Sequence, residues 1–377
     1  MIEFQTKAEN DVLSETMEFA RNRLRNLIEK YPDFYPMYTM SGRWKHSGEA
    51  WTHWCDGFLP GMLWIVYGRE PQSSQDRAWW RQQAIRYSKP LEPRKHDRDV
   101  HDLGFIFMST YYRWFRLTQD PSLKAVVMEA GNTLALRFQE NGEYLRSFVS
   151  ADSLFIDIMM NVGIIFYTAI ERGDHALMET AMRHTLTTRR TLVRGDGSTA
   201  HEGIFDRSTG EFLRQSTHQG YRGDSCWSRG LAWSLYGFSS CYGYTRDPRF
   251  LQTAEACADF YIEHTPSDGV PPWDYDAPPE SRAQVDTSAA AIAAAGMFRL
   301  GGLCADPIKG LLYDSAARHI LGTLCSKYLG KSDPEWEGIL KGGVYHIHKK
   351  LGVNESVMWG EYFFLEAVDA ALQPPKA

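Results

Sequence analysis

Three turns in this chain are variants of one device. Gln119-Asp120-Pro121, Arg246-Asp247-Pro248 and Ala305-Asp306-Pro307 each end a mostly apolar segment and open an amphipathic one. Aspartate there can cap the orphan N–H groups of a new helix, and proline fits the first helical position, where no N–H is needed. Gly173-Asp174 occupies the same place in another repeat. On both sides the periodicity is helical, and strand signals are sparse. Apolar segments fall at 54–67, 102–117, 154–170, 227–244, 286–303 and 359–372. Amphipathic segments fall at 9–30, 75–88, 121–139, 175–191, 248–264 and 307–328. A helix that is apolar all round must be covered on all sides. The six apolar helices therefore form an inner ring, and the six amphipathic ones surround it. The predicted fold is all-α, an (α/α)6 toroid, with residues 1–377 as a single catalytic domain and no linker. The long inserts at 32–53, 89–101, 140–153, 194–226, 265–285 and 329–358 all precede inner helices. They gather on one face and build the rim of a central pocket.

Charge and thiols narrow the function. A net charge of −6 leaves no basic footprint for nucleic acid. Cys55, Cys226, Cys241, Cys257, Cys304 and Cys325 show neither a C-x-x-C pair nor framework spacing, so they read as reduced thiols. The first residues are polar and acidic, without an apolar signal region. The most apolar run, 154–170, contains Asp157 and Asn161 and is short for a bilayer. A cytoplasmic protein without a membrane partner is expected. The load of 12 Trp, 19 Tyr and 19 Phe exceeds what a core needs and suits stacking on carbohydrate.

The densest concentration of functional residue types is THQGYRGDSCWSRGLAW, residues 217–233. His218, Gln219, Arg222, Asp224, Trp227, Arg229 and Trp233 share it. Gly220 and Gly223 mark its first half as a loop, and a helix is expected from Asp224 or Ser225. A helix start and an arginine fork both suit a carboxylate ligand; the alternative is a loop whose arginines pair with surface acids. Asp56, Asp102 and Asp286 stand at starts of inner helices, where capping explains each singly. Asp157 lies among apolar neighbours in LFIDIMMNVGIIF, past the cap. Burial raises the pKa of a lone carboxyl and makes it a candidate general acid. His201 and His218 are candidate site residues or ordinary loop residues. His346 and His348 have a spacing open to metal ligands, but nothing nearby completes a site, so no metal is expected. No phosphate-binding or dinucleotide motif occurs, and no cofactor is expected.

HDLGF (101–105), FIDIMMN (155–161), THQGY followed by WSRGLAW (217–233), DGVPPWDYDAP (268–278), DTSAAAIAAAG (286–296) and MWGEYFFLEA (358–367) resemble the unsaturated glucuronyl hydrolases of glycoside hydrolase family 88. The resemblance covers nearly the whole chain in order and implies the same (α/α)6 barrel. It further implies a hydrolase that removes the 4,5-unsaturated uronic acid left by polysaccharide lyases, by hydrating its double bond. By motif position, Asp157 falls on the general acid/base and Asp102 on the second essential aspartate. His201, Gln219 and Arg229 fall on substrate-binding positions, Trp54 and Trp233 on sugar-stacking ones. Two departures bear on the substrate: RDVHD stands where the family usually has paired histidines, and GGVYHIHKKLGV (342–353) replaces a serine-rich loop. His346, His348, Lys349 and Lys350 in that loop favour an anionic second sugar. The competing readings are an unsaturated rhamnogalacturonyl hydrolase, a conventional inverting glycosidase using Asp102 and Asp157, and a non-catalytic glycan-binding toroid.

Overall fold

The computed structural model describes residues 7–46 and 52–373. Two rings of helices alternate along the chain. The outer ring is α1 (Lys7–Lys30), α3 (Arg77–Ser88), α6 (Pro121–Ala135), α8 (His175–Leu192), α10 (Pro248–His264) and α13 (Pro307–Thr323). The inner ring is α2 (Phe58–Arg69), α4 (Leu103–Ser109) with α5 (Tyr111–Thr118), α7 (Gly163–Arg172), α9 (Ser228–Thr245), α12 (Thr287–Gly301) and α14 (Met358–Ala371). A short α11 (Pro279–Arg282) lies in the insert before α12. The expected alternation is observed, and so is its punctuation: the carboxylates of Asp120, Asp174, Asp247 and Asp306 accept backbone N–H bonds at the starts of α6, α8, α10 and α13. Inner helices are buried along most of their length. In α12 every residue from Thr287 to Met297 is buried. No helix among the described residues is long and apolar enough to cross a membrane.

Two inner segments depart from the continuous helices expected. The 102–117 segment breaks at Thr110, which separates α4 from α5. Ser109 Oγ donates to the carbonyl of Phe105 at 2.5 Å and to that of Gly57, just before α2, at 3.0 Å, drawing the helix end toward its neighbour. The 154–170 segment begins as a strand. Residues Ser153–Phe155 form β5, Ile156–Met160 a 3-10 turn, and only from Gly163 does α7 run. Asp157 therefore sits in that turn rather than inside a helix. The reason is pairing with the rim: β5 joins β6 (Glu202–Phe205), which pairs with β7 (Phe212–Ser216). Local apolarity cannot distinguish a buried strand from a buried helix.

The inserts hold the remaining strands as two-stranded ribbons. They are β1 (Thr39–Met40) with β2 (Arg43–Trp44), β3 (Phe138–Gln139) with β4 (Tyr144–Leu145), and β8 (Gly343–His346) with β9 (Leu351–Glu355). All inserts join the inner helices at their N-terminal ends, so one mouth of the barrel carries a folded rim. The insert 32–53 lies partly outside the described residues.

Candidate active site

Beneath that rim is a cavity of about 280 Å³. Asp102 and Asp157 stand in its wall together with Trp54, His218, Gln219, Arg229, His346 and Lys349. The two aspartates come from adjacent inner segments, and Asn161 ties them together. Its Oδ1 accepts the Phe105 N–H at 2.7 Å, three residues past Asp102, and its Nδ2 donates to the Asp157 carbonyl at 3.1 Å. Gly104 makes the approach possible, because a Cβ there would stand 2.4 Å from the Asn161 Cα. Asp102 occupies the position before α4 yet its carboxylate makes no capping bond. Asp286, by contrast, is a cap: it accepts from Ser288 N–H at 3.0 Å. Asp56 is held by Arg94 at 3.5 Å. The cap reading thus holds for one of the three.

Each cavity aspartate faces a buried histidine whose protonation is dictated from behind. His101 Nδ1 accepts the Phe148 N–H at 3.0 Å. A nitrogen that accepts cannot carry the proton, so the neutral ring bears it on Nε2. That atom lies 3.3 Å from Asp102 Oδ1. His201 repeats the arrangement. Its Nδ1 accepts from the backbone of His218 at 3.2 Å and Gln219 at 3.4 Å, and its Nε2 lies 3.6 Å from Asp157 Oδ2. Strand pairing sets this contact, since Ile156 N–H donates to the His201 carbonyl at 2.9 Å. Burial pushes the His101 pKa down to about 3 and that of His201 well below its ordinary value, so both rings are neutral.

Burial acts oppositely on the acids. It pushes the Asp102 carboxyl up to about 7, with the charge of Asp157 adding to the rise. It pushes Asp157 up to about 6 against the pull of the Arg229 guanidinium. Two carboxyls that titrate this close to neutrality can share protons in acid–base chemistry. His218 is half exposed; its Nε2 lies 3.5 Å from Glu202 Oε1, which raises its pKa.

Arg229 reaches the cavity with its fork already engaged. Its terminal nitrogens bond the carbonyls of Val344 and Tyr345 and the Gln219 Oε1, and Nη1 lies 3.5 Å from Asp286 Oδ2. Its plane packs on Trp227 and Trp359, 4.4 and 5.0 Å from their ring centres. The expectation of an open carboxylate fork is corrected accordingly: Arg229 fixes Gln219 and supplies charge. Trp233 is also corrected. Its ring is fully buried between Phe105 and Phe363, below the cavity floor and out of reach of a sugar. Position on the apolar face of α9 decides that placement. Trp54 does line the cavity, packed against Trp359 at 4.8 Å. The helix expected from Asp224 starts only at Ser228, because Trp227 first bridges to Asp274. Asp224 pairs with Arg222 at 2.6 Å on the surface. In the 342–353 loop, His346 and Lys349 line the cavity. His348 Nε2 is 2.8 Å from the Gly220 carbonyl, and Lys350 is exposed away from the cavity wall.

Residues 27–263, well over half the chain, match the model of Glycosyl Hydrolase Family 88. The chain belongs to that family. It is 31% identical to an unsaturated glucuronyl hydrolase of Formosa agariphila, over 97% of this chain and 92% of the relative. It is 30% identical to the unsaturated glucuronyl hydrolase of Bacillus sp. GL1, over 91% and 92%. A crystal structure of the Bacillus enzyme, described as responsible for the degradation of glycosaminoglycan, superposes with a TM-score of 0.86 at 27% identity, covering 94% of this chain and 96% of that one. An unsaturated glucuronyl hydrolase of Streptococcus agalactiae complexed with dGlcA-GalNAc6S superposes at 0.82 and 27%, covering 98% and 93%. In this member of family 88 the site also includes His101, Phe148, Phe155 and Tyr345, none of which the sequence singled out. His101 had a signal, its adjacency to Asp102. The others are apolar or aromatic residues of the rim, indistinguishable in sequence from core.

Proposed function

We propose that this protein removes the 4,5-unsaturated uronic acid from the non-reducing end of lyase-generated oligosaccharides. The observation that carries the reading is the pair of carboxyls, Asp102 and Asp157, both with raised pKa in one small cavity. A bound uronate adds negative charge and raises both further; the two carboxyls then titrate as a pair that holds one proton, and this reading places that proton on Asp157 and the charge on Asp102. Asp157 gives its proton to C4 of the vinyl ether, and positive charge develops at C5 and the ring oxygen. The Asp102 carboxylate, oriented by His101, stabilises that charge. The Asp157 carboxylate then takes a proton from the water that adds at C5. The resulting hemiketal opens at its ring bond, and C1, left as a hemiacetal, expels the next sugar. Trp54 supplies a face for the ring, His218 and Gln219 supply donors, and His201 positions Asp157. Arg229 acts on the uronate carboxylate through its charge. No bond to C1 is attacked, unlike direct displacement by a glycosidase.

Lys349 and His346 border the same cavity, and with them the sugar beyond the cleaved bond is sulfated or carboxylated. The whole chain of 377 residues works as one catalytic unit. All six cysteines are unpaired, which fits a cytoplasmic enzyme. Turnover in heavy-oxygen water tests the chemistry. Label is expected first at C5 of the released keto acid, with none in the aglycone. Early label at C1 instead would establish displacement and overturn the hydration mechanism.

A further inference from the structure

The barrel has a second cavity, at the mouth opposite the rim. It occupies about 900 Å³, against about 280 Å³ for the catalytic one. Its wall is formed by α2, α4, α5, α14, residues 159–163 and the C-terminal halves of α9 and α12. Four arginines and two acids face it, and they do not cancel. Arg69 bonds Asp369. Arg113 takes one oxygen of Glu366 at 2.7 Å, and the Tyr236 hydroxyl takes the other at 2.5 Å. Arg116 and Arg299 make no ion pair with a carboxylate among the described residues, although the charge of Glu366 reaches Arg299.

Aromatic rings hold both of these guanidinium groups. Arg299 sits 5.6 Å from the Tyr236 ring centre. Arg116 donates to the Tyr112 hydroxyl at 3.1 Å. Helix C-termini attract positive charge, which accounts for arginines in the last turns. It does not account for Tyr112, Tyr236 and Tyr244, which line the same space. A guanidinium edge matches a carboxylate, and a tyrosine face matches a ring. We propose that this cavity is a second binding site for a small carboxylated ring molecule such as a free uronic acid. The site is separate from the catalytic cavity and does not depend on how that cavity is read.

Calorimetric titration of the whole protein with D-glucuronate tests this, alongside inhibition kinetics that report the catalytic cavity alone. At least one binding event that the inhibition kinetics do not report is expected in the unaltered protein. Arg116→Gln combined with Arg299→Gln should abolish one, or weaken it at least tenfold, while leaving turnover and melting temperature unchanged. Glucose and inorganic sulfate should each bind that site at least tenfold more weakly than glucuronate. Absence of any event beyond the one the inhibition kinetics report would overturn the proposal, as would such an event indifferent to the double substitution. Glucose binding as tightly would show that the arginines read no charge. Sulfate binding as tightly would show that the rings read no sugar. Either result also overturns it.

Discussion

His101 Nε2 lies 3.3 Å from Asp102 Oδ1, and the Phe148 N–H on the far side of the ring keeps the ring proton on that nitrogen. A charge-assisted contact of this kind contributes roughly 1.5–3 kcal/mol when well formed. Replacing His101 by Ala should therefore lower kcat roughly 10- to 100-fold with little change in KM, since the loss falls on the charged form needed in the transition state. Without that donor the Asp102 carboxylate is harder to form, so the pH–rate profile should move to higher pH. Steady-state kinetics across pH check both; a rise in KM alone would make His101 a binding residue.

Asp157→Asn should abolish loss of the ultraviolet chromophore of unsaturated substrates, by at least a thousandfold. Its effect on stability has the opposite sense. The pKa of Asp157 is raised from 3.8 to about 6 on folding, so the carboxyl stabilises the fold only while protonated. That contribution is complete below pH 4 and lost as pH rises through about 6. At ~1.4 kcal/mol per pH unit, Asn should gain up to ~3 kcal/mol relative to Asp above that window. Melting curves at pH 4 and pH 7 check the sign. A lower melting temperature at pH 7 would identify Asp157 as structural.

Trp54 and Trp233, alike in sequence, should part company. Trp54→Ala should raise KM with the fold intact. Trp233→Ala removes a fully buried ring and should cost about 3–5 kcal/mol of stability in urea unfolding.

Lys349→Ala should raise KM roughly five- to thirtyfold for sulfated or carboxylated disaccharides and not for neutral ones, about 1–2 kcal/mol by the usual conversion. Lys350→Ala is the control, with no effect expected. Added salt should weaken binding of the charged substrates in parallel. Equal changes for neutral and charged disaccharides would remove Lys349 from substrate selection.

The barrel was legible in the sequence because its punctuation is local: Asp120, Asp247 and Asp306 cap the helices their turns announce. Asp102 and Asp157 were legible as positions within quoted motifs, and His201 through the family resemblance. What the sequence concealed depends on distant pairing. The strand before Asp157 exists because residues 202–205 pair with it, and periodicity inside an apolar run carries no trace of that. Trp233 and Trp54 look alike in sequence, yet only one sits above the floor. The imidazole tautomers required knowing which backbone N–H groups stand behind them.

Asn161 gives the site a property of its own. One side chain spans from the Phe105 amide, just past Asp102, to the backbone of Asp157, so the gauge between the two carboxyls belongs to neither hairpin separately. Motion of one inner segment carries both acids together. Warming should leave the rate per folded molecule rising smoothly, with the activity loss coinciding with cooperative unfolding. Shortening that span, as in Asn161→Ala, should uncouple them: activity would then fade at temperatures where the helical signal is still complete.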